Sequence, residues 1–413
     1  MSNNITWAAL IPLIGGHPLG AEKATGKPPE FVASYTGFWA NDSQYMNYQN
    51  NTLGRSIPYI NLTETPEFKQ KVNIVVATPP CAGLSQLNTG KSPEAKGAGC
   101  HKNEWMYISA RDAIEKFDCD VYICENAPAL YTNKGKPVAE KLFEIAKEFG
   151  YSLTLYKTST MYHGIPQNRD RTFAIMWKTE TAPAMTWYRE PRKDFAPFLK
   201  EVKAKDLQQN IVINPKVADE PYYQFLKAKY EKDPREVLIE ANVVTAFTVI
   251  QRRGLLQEAN AWFKANGNEV GTKYSDHAIK KFAQGLGVWD GSTHVFSDVM
   301  NAVIGRNMND TIHPTEDRSL TIREALHMMG FPKDFELVGG RAKSNMIAQN
   351  VPVCTAACMV KEAIKFINGE LPDSGLIFCK QNNHSQTFDT KLEIEYNDLE
   401  EFFALKRKSN VRV

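Results

Sequence analysis

Residues 73–91 read NIVVATPPCAGLSQLNTGK. The β-branched run Ile74–Val75–Val76 reads as a strand, and Pro79–Pro80 close it because proline has no amide hydrogen to offer a ladder. Cys81 follows at once. After it come Gly83, Ser85, Asn88, Gly90 and then Gly97 and Gly99, a composition fit for a loop that moves. A thiol held stiffly behind and loosely ahead therefore stands at the carboxyl end of a strand, which is where open α/β sheets hold their ligands.

The surrounding chain repeats the strand theme. FVASYTGFWAND (31–42) reads as a strand closed by an acid, NEWMYISARDAIEKFD (103–118) as an amphipathic helix, and DVYICENAPAL (120–130) as a strand running into a loop. KPVAEKLFEIAKEFG (136–150) is a helix stopped by Gly150, and YSLTLYKTSTM (151–161) and RTFAIMWK (171–178) are strands. Strands alternating with helices predict an α/β fold with a doubly wound, mostly parallel sheet. Cys81, Glu125 and Asp42 all fall at expected strand ends. From Lys178 prolines, lysines and aromatics mix and the period weakens, so residues 178–312 are expected to form a smaller inserted domain. SLTIREALHMMGFP (319–332) and VPVCTAACMVKEAIKFI (351–367) return to helix. The expected division is 1–177 and 313–370 for the larger domain, with 371–413 an extension of unassigned role.

Composition excludes some classes. The chain has 413 residues and a net charge of +2, which argues neither for nor against nucleic acid, because a basic cleft can hide in a neutral total. No apolar run approaches the ~18 residues of a membrane span. The first residues, MSNNITWAALIPLIGG, lack the features of a secretory signal. Seven cysteines without a CxxC pair imply reduced thiols in a cytoplasmic protein, with no metal site.

Each chemical candidate has a plain alternative. Cys81 is either a small buried hydrophobe or a nucleophile whose setting favours thiolate. Glu125, with Asn126 beside it, follows the apolar Val121–Cys124; it is either a loop or capping acid, or a proton donor with a raised pKa. Gln167, Arg169 and Arg171 open a strand. The two arginines alternate onto one face, which either meets solvent or holds a phosphate or the carbonyl edge of a base.

The blocks Pro80–Cys81, Glu125–Asn126–Ala127, Gln167-x-Arg169-x-Arg171, Arg323–Glu324–Ala325 before Gly330–Phe331–Pro332, and Asn350–Val351–Pro352 occur in that order. Together they resemble the cytosine-C5 DNA methyltransferase family across nearly the whole chain. The resemblance implies a Rossmann-like S-adenosylmethionine-dependent fold acting on double-stranded DNA as a monomer, in a bacterial or viral restriction–modification setting. It implies that the base is flipped out, that the Cys81 thiolate adds to C6, that Glu125 meets N3, and that C5 then takes the methyl group. Arg169 and Arg171 complete the catalytic set; Pro80, Ser85, Asn126 and Gln167 contact the substrate. A catalytically weak DNA-binding relative and an RNA cytosine-C5 methyltransferase are the alternatives on the same fold.

The cofactor elements depart most from the family. Its glycine turn corresponds to ALIPLIGGH, where Gly15 and Gly16 remain, Leu13 replaces the first glycine and Ile11 the aromatic. Asp42, twenty-six residues after Gly16, is the expected acceptor of the ribose hydroxyls. Asn61–Leu62 resemble the family element that lies beside the adenine, and Pro80, Asn350 and Val351 complete the cofactor contacts that the resemblance implies. Within residues 178–312, the position of the family's recognition domain, Arg252 is a candidate base reader and Lys280 a candidate phosphate contact. The plain reading of both is a solvated surface, since the acids and bases of this region nearly balance.

Overall fold

The structure is a computed structural model that describes residues 4–85, 88, 90, 92, 94–202, 211–288, 292–305, 307–338 and 343–389. Among these the chain divides into two compact units. One combines the chain up to Arg192 with the stretches that begin at Met329 and at Gln349; the other runs Lys193–Met328 and adds a short helix. The limits of the inserted segment expected from the sequence are 178 and 312.

The first unit alternates as its sequence does: β1 (Trp7–Leu10), α1 (Gly16–Thr25), β2 (Phe31–Ser34), α2 (Trp39–Asn47), β3 (Tyr59–Asn61), β4 (Ile74–Ala77), α3 (Glu104–Glu115), β5 (Val121–Asn126), α4 (Lys136–Glu148) and β6 (Ser152–Ser159). Then come the short β7 (Gln167–Asn168), β8 (Asp170–Trp177) and the short β9 (Ala182–Pro183). After the second unit, with its short β10 (Met300–Asn301), follow the helix Val353–Ile367, β11 (Asp373–Leu376), β12 (Phe378–Asn382) and β13 (Thr387–Asp389). Among the described residues nine strands form one sheet, in the order β13-β12-β6-β8-β5-β4-β1-β2-β3. The chain is thus an α/β protein with a doubly wound, mostly parallel, Rossmann-like sheet.

Strand direction decides what meets at the edge. β1, β2, β3, β4 and β5 run parallel, so Leu10, Ser34, Asn61, Ala77 and Asn126 all end on one side. β8 runs against both β5 and β6 and therefore begins on that same side, with Asp170 and Arg171. The central strands β1 and β4 are apolar throughout because both faces are covered: β1, β2 and β4 are buried along their whole lengths. The helix Val353–Ile367 packs on α1 at small residues. A Cβ on Gly20 would come within 2.4 Å of the Ala356 Cβ and 2.7 Å of the Val353 carbonyl oxygen.

Two parts of the first unit differ from the sequence reading. The segment after β2 does not stay extended to Asp42. Gly37 takes a positive φ of 100° and α2 starts at Trp39, which puts Asp42 inside a helix. The polar stretch beyond Leu371 supplies sheet strands, since β12 lies parallel to β6 from Phe378 opposite Leu153 to Asn382 opposite Lys157. Residues 390–413 of that extension lie outside the described residues. The described part of the second unit is helical around its own aromatic core of Tyr222, Phe225, Phe247 and Phe263.

Candidate active site

The antiparallel register of β5 and β8 builds the centre of the site. Glu125 faces Phe173 across the ladder, and side chains two residues apart on a strand share a face, so Arg171 lies diagonally from Glu125 on that face. Arg171 Nε is 2.7 Å from Glu125 Oε1, with the carboxylate side chain 3% exposed and the guanidinium 15%. Arg169, two residues before, is buried and donates from Nη2 to the Asn350 carbonyl at 2.7 Å. Both guanidiniums point inward, which removes the reading of this pair as a solvated face.

Cys81 is a half-buried free thiol just past β4, the strand next to β5. Burial pushes its thiol pKa up and the Glu125 charge adds to that, while Arg171 and then Arg169 pull it down. Glu125 is raised by burial, against the opposing pull of Arg171 and Arg169. A buried carboxyl with a raised pKa can carry a proton, while the thiol, raised overall by burial, has the two guanidiniums to counter that rise. The pairing is suited to nucleophilic attack with proton donation.

The neighbouring predicted residues mostly hold this centre in place. Asn126 Oδ1 accepts from the Ala127 amide at 2.9 Å and fixes the turn out of β5. Gln167 is buried, with Nε2 3.7 Å from the Met329 sulfur. Pro80 is half-buried beside the thiol, and Ser85 lies in the same loop. That loop folds back on itself: Asn88 Nδ2 donates to the carbonyls of Ala82 at 2.7 Å and Ala95 at 2.6 Å.

The turn after β1 is shaped without its first family glycine. Ile11 and Leu13 adopt φ values of 52° and 53°, conformations that cost a side-chain-bearing residue of order 1–3 kcal/mol. The surroundings hold them there. Ile11 donates its amide to the Ala33 carbonyl at 3.0 Å, and Leu13 donates its amide to Asp42 Oδ1 at 3.1 Å. Ile11 is buried in the apolar core between sheet and helices. Gly16 donates to Asn350 Oδ1 at 3.2 Å, and an added Cβ there would fall 2.0 Å from the Val351 carbonyl oxygen. Asn350 thus ties the Gly15–Gly16 turn to Arg169, and Val351 is buried against it.

Asp42 does not reach the edge of the sheet as expected. It is fully buried in α2, and its second oxygen accepts from the Tyr59 hydroxyl at 3.1 Å. Burial raises its pKa to about 7, against hydrogen bonds that lower it. Its visible work is to brace the Leu13 turn.

A cleft of about 490 Å³ opens beyond β2 and β3, lined by Tyr35, Thr36, Trp39, Tyr59, Asn61 and Glu64 among others. Asn61 was expected here; the aromatic rings and Glu64 were not. Asn61 Nδ2 donates to Thr36 Oγ1 at 3.2 Å, and Leu62 is buried behind it. Trp39 is 54% exposed and its ring stands edge-on to Tyr59 with centroids 4.7 Å apart. The Tyr35–Thr36–Gly37 turn directly after a strand, with Trp39 just beyond it, was the available signal. In the strand order only β1 separates β2 from β4, so the cleft and the thiol lie roughly 10–15 Å apart at ordinary strand spacing.

In the second unit Arg252 ends the helix Ala246–Arg252 and Lys280 lies in the last turn of the helix Glu269–Ala283, both exposed. Arg323–Glu324 belong to a short helix, Ile322–His327. There Glu324 closes a capping box with Thr321 and accepts two hydrogen bonds from Arg318, at 2.9 and 3.0 Å. That is a local structural role.

Comparison with known proteins identifies the family. The model of the C-5 cytosine-specific DNA methylase family matches residues 6–365. The chain is 22% identical to the type II methyltransferase M.Bpa9945I of Bacillus paralicheniformis, over 72% of this chain and 71% of that protein. It is 24% identical to the type II methyltransferase M.NmeDI of Neisseria meningitidis serogroup C, over 70% of this chain and 63% of that one. A crystal structure of a DNA modification methyltransferase encoded within an E. coli prophage superposes with a TM-score of 0.54 at 15% identity, covering 88% of this chain and 99% of that one.

Proposed function

The chain belongs to the C-5 cytosine-specific DNA methylase family, and from that membership we propose that it methylates DNA cytosine by a covalent route through Cys81. It is a DNA (cytosine-5)-methyltransferase; the residue roles are our reading. Cytosine C5 is a poor nucleophile, and addition of a thiolate to C6 makes C5 electron-rich. Cys81 is the thiol. Glu125 donates to N3 as charge develops there, a task for which a buried carboxyl with a raised pKa is suited. Arg171 keeps that carboxylate in place until the base arrives, and its guanidinium then faces the base edge. Arg169, anchored on the Asn350 carbonyl, contributes positive charge that favours the thiolate. Since the target atom is inaccessible inside a duplex, the cytosine must be flipped out to reach Cys81.

S-adenosylmethionine, when bound, supplies an electrophilic methyl group. The residues at the edge of the sheet fit it. Tyr35, Trp39 and Tyr59 offer ring faces for an adenine, and Asn61 an amide for its edge. Closer to Cys81, Thr78 Oγ1 is buried with no hydrogen-bond partner among the described residues. So is His17 Nε2, whose ring burial keeps neutral with a pKa near 4. Buried polar atoms without protein partners are where a ligand's polar groups are expected.

The observation that carries this reading is the Arg171–Glu125 pair on the sheet edge beside the thiol. Mass analysis of nucleosides from double-stranded DNA incubated with the protein and S-adenosylmethionine tests it. 5-Methylcytosine is expected; modification of RNA alone, or of neither, contradicts it.

A further inference from the structure

We infer that the ribose of the cofactor is held by Glu64, on the loop after β3, and not by an acid after β2. The inference rests on the proposed binding of S-adenosylmethionine in the cleft beyond β2 and β3. A vicinal diol is recognised by a carboxylate, which accepts from both hydroxyls at once, and dinucleotide-binding sheets place that acid just past the second strand. Here β2 ends in Ser34 and is followed by Tyr35–Thr36–Gly37, which offer no carboxylate. The next acid along, Asp42, is 0% exposed, with one oxygen on the Leu13 amide and the other on the Tyr59 hydroxyl.

Glu64 is the acid that lines the cleft. The chain places it there through a turn: Glu64 and Thr65 both donate their amides to the Asn61 carbonyl, at 3.0 and 2.9 Å, and this coils the loop back over the end of β3. Its side chain is exposed, and its carboxylate has no hydrogen-bond or ion-pair partner among the described residues. It is close enough to Tyr59 for its charge to act on the phenol. Asp42 and Glu64 therefore flank Tyr59 with different duties: one braces the turn after β1, the other faces the cleft.

The test compares S-adenosylhomocysteine with its 2′-deoxyribose analogue by titration calorimetry on the full chain. Wild type is expected to prefer the ribose form by about ten-fold or more, the usual effect of a hydrogen bond to a charged group. Glu64→Gln should erase most of that preference with its melting temperature unchanged, and Glu64→Asp should retain part of it. Asp42→Asn should weaken both ligands alike and leave their ratio intact. A preference that survives in Glu64→Gln, or disappears in Asp42→Asn, overturns the assignment. So does a wild type that binds both forms equally. A wild type that binds neither ligand removes the cofactor reading itself, and Glu64's role with it.

Discussion

Arg171 Nε sits 2.7 Å from Glu125 Oε1, and the contact is made by a strand that runs against its neighbour. Because β8 starts where β5 stops, a residue near the beginning of one meets a residue near the end of the other. A wholly parallel arrangement would have put Arg171 at the opposite edge of the sheet. The pair has measurable consequences for both titrating groups of the site.

Arg171 lowers the pKa of the Cys81 thiol and of the Glu125 carboxyl. Arg171→Gln should therefore raise both. A raised thiol pKa means less thiolate at neutral pH, about ten-fold less for each unit. The rate of Cys81 alkylation by iodoacetamide, followed by mass spectrometry against a Cys81→Ala blank, should show its inflection moved to higher pH in the variant. An unmoved inflection would mean that the guanidinium does not act on the thiol.

Asp42 carries a pH dependence of a different kind. Its folded pKa, about 7, lies above its ordinary value of 3.8. Between those values the native state holds the proton more tightly than the unfolded chain does. Stability should thus be highest below about pH 4 for this group and fall as pH rises toward 7, by roughly 2–4 kcal/mol. Asp42→Asn removes that slope. Urea midpoints at pH 5, 6, 7 and 8 in wild type and variant measure it; parallel curves contradict the assignment.

Close approach makes a third expectation. Gly16→Ala would set a Cβ 2.0 Å from the Val351 carbonyl oxygen, a backbone atom that cannot swing away. Gly20→Ala meets the Ala356 Cβ and the Val353 carbonyl on the same helix pair. Each should cost about 1–3 kcal/mol or more. Only Gly16→Ala should also weaken S-adenosylhomocysteine binding beyond its loss of stability, since it alone disturbs the turn that Asn350 fastens to Arg169. Thermal melts with and without the ligand separate the two effects.

The family and the candidate residues of the site were legible because they sit in short, local signatures. A strand, a proline pair and a thiol follow one another in Ile74–Cys81, and Glu125 directly follows an apolar run. Placing Asp42 failed for a physical reason. Phe31 to Asp42 looks continuous by composition, but Gly37 takes a positive φ and Trp39–Asn47 winds into a helix, which turns the acid inward. The strand Phe378–Asn382 was missed because its partner is Leu153–Lys157, more than two hundred residues earlier, and no local pattern reports such a pairing. Glu64 was overlooked because an exposed loop acid has no signature until the cleft around it is seen.

We propose that the segment beyond Lys178 reads the DNA, and its phosphate and base contacts should separate by mutation. Replacing Lys280, if it meets a phosphate, should weaken all DNA sequences alike and reduce the salt slope by about one. Replacing Arg252, if it reads a base, should cost ~1–3 kcal/mol at a single base pair. Bisulfite sequencing of a random-sequence plasmid treated with each variant distinguishes the patterns. Should the pattern for Arg252→Ala match that for Lys280→Ala, Arg252 is not a reader.

In the proposed mechanism the Cys81 sulfur bonds to the target base. DNA carrying 5-fluorocytosine tests it most directly, because the fluorine at C5 cannot leave as a proton and the adduct cannot resolve. With S-adenosylmethionine present, wild type should form a denaturant-stable complex with this DNA, with the base attached to the peptide that contains Cys81. Cys81→Ala should fold, bind the DNA and form none. A wild type that methylates ordinary DNA yet is never trapped, or a Cys81→Ala variant trapped as well as wild type, contradicts the account.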